Sequence, residues 1–174
     1  MLNTVLLSGH LTEEKLKLVA QEIKEREPPR QFSLIIDSQG GDMKPTLDFV
    51  EFLWKNGGSD NHFLSGVKIY NAESAAAFIA LAVPIYREMR ISAVLGIHRG
   101  SVILEASDFN LQNGQVENQE TLNRFEKYST YLKCALDQGN LSSDPKLMAE
   151  LYGSNWLRLS AEECLKRGIV QKLF

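Results

Sequence analysis

Ser74-Ala75-Ala76-Ala77-Phe78-Ile79-Ala80-Leu81-Ala82-Val83 carries no charge over its whole length. A helix built from it needs apolar cover on every side, so the run predicts a helix inside the protein rather than on its surface. Upstream, Val67-Lys68-Ile69-Tyr70 is short and β-rich, and it predicts a strand leading into the buried helix. Downstream, Ser92 to His98 predicts a strand that ends in a histidine, and Gly100 to Ala106 a further strand or hairpin arm.

The same alternation extends to the N-terminus. Asn3 to Ser8 is apolar enough for a strand. Thr12 is placed as an N-cap, with Glu13 and Glu14 in the first turn, where carboxylates suit the helix dipole. Leu16, Val19, Ala20 and Ile23 recur at helical spacing, and Pro28-Pro29 closes a helix expected to run to about Glu27. Phe32 to Asp37 predicts a strand covered on both faces. Ser38-Gln39-Gly40-Gly41-Asp42 is a turn, and Pro45 suits the first turn of a helix ending near Trp54. Asn56 to Asn61 has the composition of a surface connection.

Toward the C-terminus, Glu117 to about Leu136 predicts a long helix, with Leu122, Phe125, Tyr128 and Leu132 on one face. Ser160-Ala161-Glu162-Glu163 matches a capping box, Gly168 can end that helix, and Ile169 to Leu173 predicts a final strand. Strands alternating with helices imply an α/β fold with a largely parallel sheet. Periodicity leaves open whether the sheet is doubly wound or a stacked β-superhelix. At 174 residues, one domain over residues 1–174 is expected, since domains run to roughly 100–200 residues.

Composition excludes several classes. The apolar fraction is 44%, the charged fraction 24% and the formal net charge −3, which argues against disorder and offers no basic face for nucleic acid or an anionic membrane. Met1 to Thr12 has a short apolar stretch with no Lys or Arg before it, so it does not read as a signal peptide. No run reaches the roughly 18 apolar residues of a membrane span, and a cytoplasmic protein is expected. Cys134 and Cys164 stand apart without metal-ligand spacing, so reduced thiols, no metal and no cofactor are expected.

Three places lie where a strand gives way to small or polar residues, the usual position of sites in α/β proteins. They are Gly40-Gly41, Glu73-Ser74-Ala75 and Ile97-His98-Arg99. A serine opening a buried helix has its Oγ near free backbone N–H groups that can stabilise an oxyanion. Local evidence alone favours a plainer reading of each: Ser74 as an N-cap, Gly40-Gly41 as a tight turn, His98 as a satisfied buried histidine. His10 and His62 read as surface residues. Gly40 to Lys44 lacks the spacing of a phosphate-binding loop, no GxGxxG follows a strand, and no GxSxG surrounds Ser74.

Taken together and in order, these segments resemble the proteolytic subunit of Clp proteases, within the wider crotonase-like group. Ile35-Ile36-Asp37-Ser38-Gln39-Gly40-Gly41 resembles that family's strand ending in Asn-Ser-Pro-Gly-Gly. Asn71 to Phe78 resembles its Gln-Ala-Ala-Ser-Met-Gly-Ala-Phe nucleophile segment, and Val94 to Arg99 its Val-Met-Ile-His-Gln. Leu159-Ser160-Ala161 through Gly168-Ile169-Val170 resembles its Leu-Ser-Ala through Gly-Leu-Val. The resemblance implies a crotonase-type ββα superhelix and a serine peptidase acting on a peptide or unfolded protein. It assigns Ser74 as nucleophile, His98 as base, and the N–H groups of Gly41 and Ala75 as the oxyanion hole.

The family's triad aspartate aligns with Trp156, so Asn155 is the candidate third member, with Asp144 and Glu150 as further candidates. A homo-oligomer is implied, with heptameric rings as one assembly. The chain begins almost at the family's first strand, so the resemblance does not carry over a partnership with an unfolding ATPase. Two other classes are a non-catalytic Clp-like structural subunit and a crotonase-type coenzyme A thioester enzyme. Reactivity of Ser74 and binding of coenzyme A distinguish them.

Overall fold

The computed structural model describes residues 3–25, 31–56, 64–83, 85–98, 109–110, 115–116, 119–154 and 156–174. Its first half repeats strand and helix in turn: β1 (Asn3–Ser8), α1 (Glu13–Glu25), β2 (Phe32–Ser38), α2 (Met43–Asn56) and β3 (Leu64–Glu73). Thr12 Oγ1 accepts the Lys15 N–H at 3.3 Å, so α1 is capped where the sequence predicts. Leu16, Val19 and Ile23 are its buried stripe. The expected end at Glu27 lies outside the described residues.

β1, β2 and β3 pair in parallel, with Val5 opposite Leu34, Leu7 opposite Ile36 and Ile36 opposite Ile69. All of these side chains are buried. β3 is longer than the expected Val67–Tyr70, because Asn71, Ala72 and Glu73 continue its pairing despite their polarity. One residue, Ser74, then separates β3 from α3 (Ala75–Ala82), whose every residue is buried. Cover for this charge-free helix comes from β2, β3 and β5 (Val94–His98) and from α2 and α4 (Gln119–Gln138).

The sheet forks along β3. Val67 to Ile69 pair in parallel with β4 (Arg87–Met89), whereas Ala72 and Glu73 pair in parallel with β5. β4 pairs in turn with β9 (Lys172–Leu173), which is shorter than the expected Ile169–Leu173. The other edge of β5 is taken, antiparallel, by β8 (Trp156–Ser160). Among the described residues this makes an α/β structure with six helices and a mostly parallel sheet of seven strands. A separate ribbon pairs β6 (Phe109–Asn110) with β7 (Gln115–Val116). The hairpin arm expected over Gly100 to Ala106 lies outside the described residues.

Five elements were not anticipated: β4, β6, β7, α5 (Pro145–Ser154) and β8. α6 (Ala161–Lys166) carries the expected capping box, with Ser160 Oγ accepting the Glu163 N–H and the Glu163 carboxylate accepting the Ser160 N–H. Gly168, at φ 71°, closes it.

β4 explains how α3 can end inside the protein. The last carbonyls of a helix have no partner within it. Arg87, only 3% exposed, donates Nε–H to Ala80 O at 2.8 Å and Nη2–H to Leu81 O at 3.0 Å and Val83 O at 2.8 Å. Its Nη1 reaches Ile169 O at 3.3 Å, and burial lowers its pKa from the ordinary guanidinium value. A cation at a helix C-terminus also suits the helix dipole. None of the described helices is long and apolar enough to cross a membrane.

Candidate active site

Ser74 is the whole connection between β3 and α3, and so sharp a turn forces its backbone to φ 54°, ψ −125°. A non-glycine residue in such a region costs about 1–3 kcal/mol. Its side chain makes no capping hydrogen bond to α3, so the N-cap reading favoured by local sequence does not hold. The Ser74 N–H is fixed by Gly96 O at 2.7 Å, which ties the turn to the neighbouring strand β5.

His98 is the last residue of β5. Because β5 runs beside the end of β3, with Glu73 opposite Gly96, the strand delivers His98 to the point where Ser74 emerges. Ser74 Oγ and His98 Nε2 are 2.6 Å apart. A hydroxyl donating to Nε2 requires the ring proton on Nδ1, the tautomer a general base needs here. Compared with protein-family models and with curated proteins, the sequence matches none.

Gly40 and Gly41 are more than a tight turn. Gly40 has φ 96°, and a Cβ there would lie 2.7 Å from Ser74 Cβ and 2.9 Å from Ala75 N. A Cβ on Gly41 would lie 2.2 Å from the Leu11 carbonyl oxygen. Only glycines let this segment pass between Leu11 and the start of α3. Leu11 N–H bonds Gly40 O at 2.9 Å and Asp42 N–H bonds Leu11 O at 3.0 Å. This parallel bridge leaves the Gly41 N–H pointing away from Leu11 and outside it. The first intrahelical bond of α3 is Phe78 N–H to Ser74 O at 3.1 Å, so the Ala75 N–H is also unused by its own element. Both expected oxyanion donors thus lie in segments that meet at Ser74.

Asn155 lies outside the described residues. Trp156 stands directly opposite His98 in the β5–β8 pair, and their ring centroids are 4.3 Å apart at an interplanar angle of 32°. Asp144 is engaged elsewhere: it pairs with Arg167 and caps α5 through the N–H groups of Lys146 and Leu147. Arg167 holds its carboxyl below the usual range. Glu150 is on the exposed face of α5.

Sequence reasoning placed Glu73 beside the site but missed its partner Arg158 and the part played by Gly96. Arg158 Nη2 is 3.0 Å from Glu73 Oε2, and the two residues flank Gly96 across three adjacent strands. The signal for β8 was the alternation Trp156-Leu157-Arg158-Leu159-Ser160, whose burial is exposed, buried, exposed, buried, exposed.

A narrow apolar cleft adjoins the pair, lined by Met43, Phe78, Leu81, Ile97 and Leu136 together with Ser74 and His98. Among the described residues no group of three or more His, Cys, Asp or Glu is placed to hold a metal ion. Cys164 is a free, buried thiol whose pKa burial pushes up to about 12, so it is not a nucleophile at neutral pH. Cys134 is also free and is half-buried.

Proposed function

We propose that this chain is a serine-type peptidase related to the Clp proteolytic subunit, with the crotonase-type superhelical arrangement that relationship implies. The observation carrying the reading is the 2.6 Å contact between Ser74 Oγ and His98 Nε2, made at a strained strand-to-helix turn. Ser74 Oγ attacks the scissile carbonyl carbon while its proton passes to His98 Nε2. The resulting oxyanion accepts hydrogen bonds from the Gly41 and Ala75 N–H groups. Collapse breaks the C–N bond, and His98 returns the proton to the departing amine, leaving an ester on Ser74. Water then gives its proton to His98 as it attacks the ester, and collapse restores Ser74 and releases the acid.

Within this reading the substrate is a peptide or unfolded protein, no cofactor takes part, and the setting is cytoplasmic. The working form is a homo-oligomer, with heptameric rings as the assembly the resemblance implies. Losing the aspartate of a Ser-His-Asp triad lowers kcat by about 10⁴, so with Trp156 at the family's aspartate position slow turnover is expected.

Trp156 also favours a second reading, a non-catalytic Clp-like subunit that assembles with an active one. Hydrolysis of fluorogenic peptides separates the two. Turnover by the wild type that is lost in both Ser74→Ala and His98→Ala supports the peptidase. A folded, assembled wild type without turnover, which restores ring assembly to an active subunit, supports the structural role.

A further inference from the structure

We infer that Trp156 is a positioning residue for His98: its ring face holds the imidazole on Ser74 and favours the imidazolium formed when Ser74 loses its proton. The effect on rate rests on the peptidase reading, whereas the contact itself does not.

Trp156 and His98 are a cross-strand pair, and such pairs place side chains side by side on one face of a sheet. The rings are tilted by 32° with centroids 4.3 Å apart, slightly closer than the roughly 4.5–7 Å usual for aromatic pairs, so they are in direct contact. When the imidazole gains a proton, the same contact becomes an attraction between a cation and the electron-rich indole face.

The indole is itself braced. Arg158, two residues along β8, has its Cζ 4.6 Å from the Trp156 ring centroid. Alone, a second cation on that ring would oppose protonation of His98. Glu73 counters it through the 3.0 Å ion pair with Arg158. This pair must cross β5, and it does so over Gly96, where a Cβ would lie 2.9 Å from Glu73 Cγ. A larger residue at position 96 would displace the carboxylate. The charged and titratable groups around this contact come from several elements: Glu73 from β3 and Arg158 from β8, paired with each other beside Trp156, and Tyr128 from α4, which lines the same cleft as His98.

The test uses the full chain with two readouts. The first is the rate of fluorophosphonate labelling of Ser74 against pH in wild type, Trp156→Phe and Trp156→Leu. Phenylalanine keeps an aromatic face and leucine keeps only bulk. Trp156→Phe is expected to stay within about threefold of wild type, and Trp156→Leu to fall about tenfold, with the midpoint of its profile moved to lower pH. Equal rates and midpoints for the two variants would overturn the positioning role.

The second readout is tryptophan emission against pH in Trp54→Phe, which leaves Trp156 as the sole indole. Should that variant not fold, the difference between wild type and Trp156→Phe reports the same signal. An imidazolium in contact with indole quenches it, so emission is expected to fall in a step as pH drops and to lose that step in His98→Gln. A wild type that is never labelled but shows this step keeps the contact and removes the peptidase reading. No His98-dependent step removes the contact, whatever the labelling shows.

Discussion

The two ends of α3 are finished in opposite ways. At its C-terminus the carbonyls of Ala80, Leu81 and Val83 all accept from one buried guanidinium, Arg87. At its N-terminus the residue in the cap position is Ser74, whose side chain makes no cap bond and instead reaches His98. One end is closed for stability. The other is left open, with backbone donors beside a hydroxyl held in an unfavourable conformation. A helix without a single charged residue can be buried in this way only if something outside it satisfies its ends.

Removing the closed end has the largest expected effect on stability. Arg87→Leu strips the buried carbonyls of their donors, and at about 1–3 kcal/mol for each unsatisfied group the loss is about 4 kcal/mol or more. Urea unfolding should show the midpoint collapse. A loss below about 1 kcal/mol would mean that water or other groups close this end instead.

Gly40→Ala attacks the open end, since its Cβ would fall 2.7 Å from Ser74 Cβ and 2.7 Å from Glu73 O. A destabilisation of about 2–3 kcal/mol is expected from the positive φ and the overlap. Fluorophosphonate labelling should fall at least tenfold even where the variant remains folded, because Ser74 must shift. Unchanged labelling would mean that the glycine segment does not set the nucleophile.

Ser74→Gly sharpens the contrast by giving opposite signs for stability and chemistry. Glycine adopts φ 54° without the penalty of a side chain, so stability should rise by about 1 kcal/mol while labelling disappears. A drop in stability would show that the Ser74–His98 contact holds the fold rather than serving chemistry.

The smallest effect concerns α4, which covers α3 and lines the cleft. Lys127 Nζ on α4 is 2.6 Å from Glu51 Oε2 on α2, and Lys55 also pairs with Glu51 at 2.7 Å. These cations lower the Glu51 pKa to about 2. A carboxyl with a depressed folded pKa stabilises the fold above its unfolded pKa of about 4.3, and that contribution is lost as pH falls toward the folded value. Glu51→Gln should therefore show a shallower loss of stability on acidification below about pH 5 than wild type. Identical acid profiles would show that this tie adds nothing.

The buried helix was legible because absence of charge is a property of the segment itself. So was the capping box of α6, whose two hydrogen bonds join residues three apart. β4 was hidden, since its three residues include Arg87 and Glu88 and its pairing is with strands far away in sequence. β8 was overlooked although its alternation marks it, with Trp156 and Arg158 facing outward between buried leucines. At the site, Ser74, His98 and the two glycines could be named, but local sequence favoured a cap for Ser74. Its backbone conformation and its contact with a residue 24 positions away decide otherwise. The partner of His98 was sought among Asn155 and nearby carboxylates. Of these, Asn155 lies outside the described residues and Asp144 serves Arg167, whereas the indole of Trp156 lies against the imidazole.

The central claim is that Ser74 is an activated nucleophile. Intact mass after incubation with a fluorophosphonate, comparing wild type with Ser74→Ala, tests it most directly. One adduct on the wild type and none on Ser74→Ala is the predicted result. No adduct on a folded, assembled wild type, or an adduct that persists in Ser74→Ala, would contradict it.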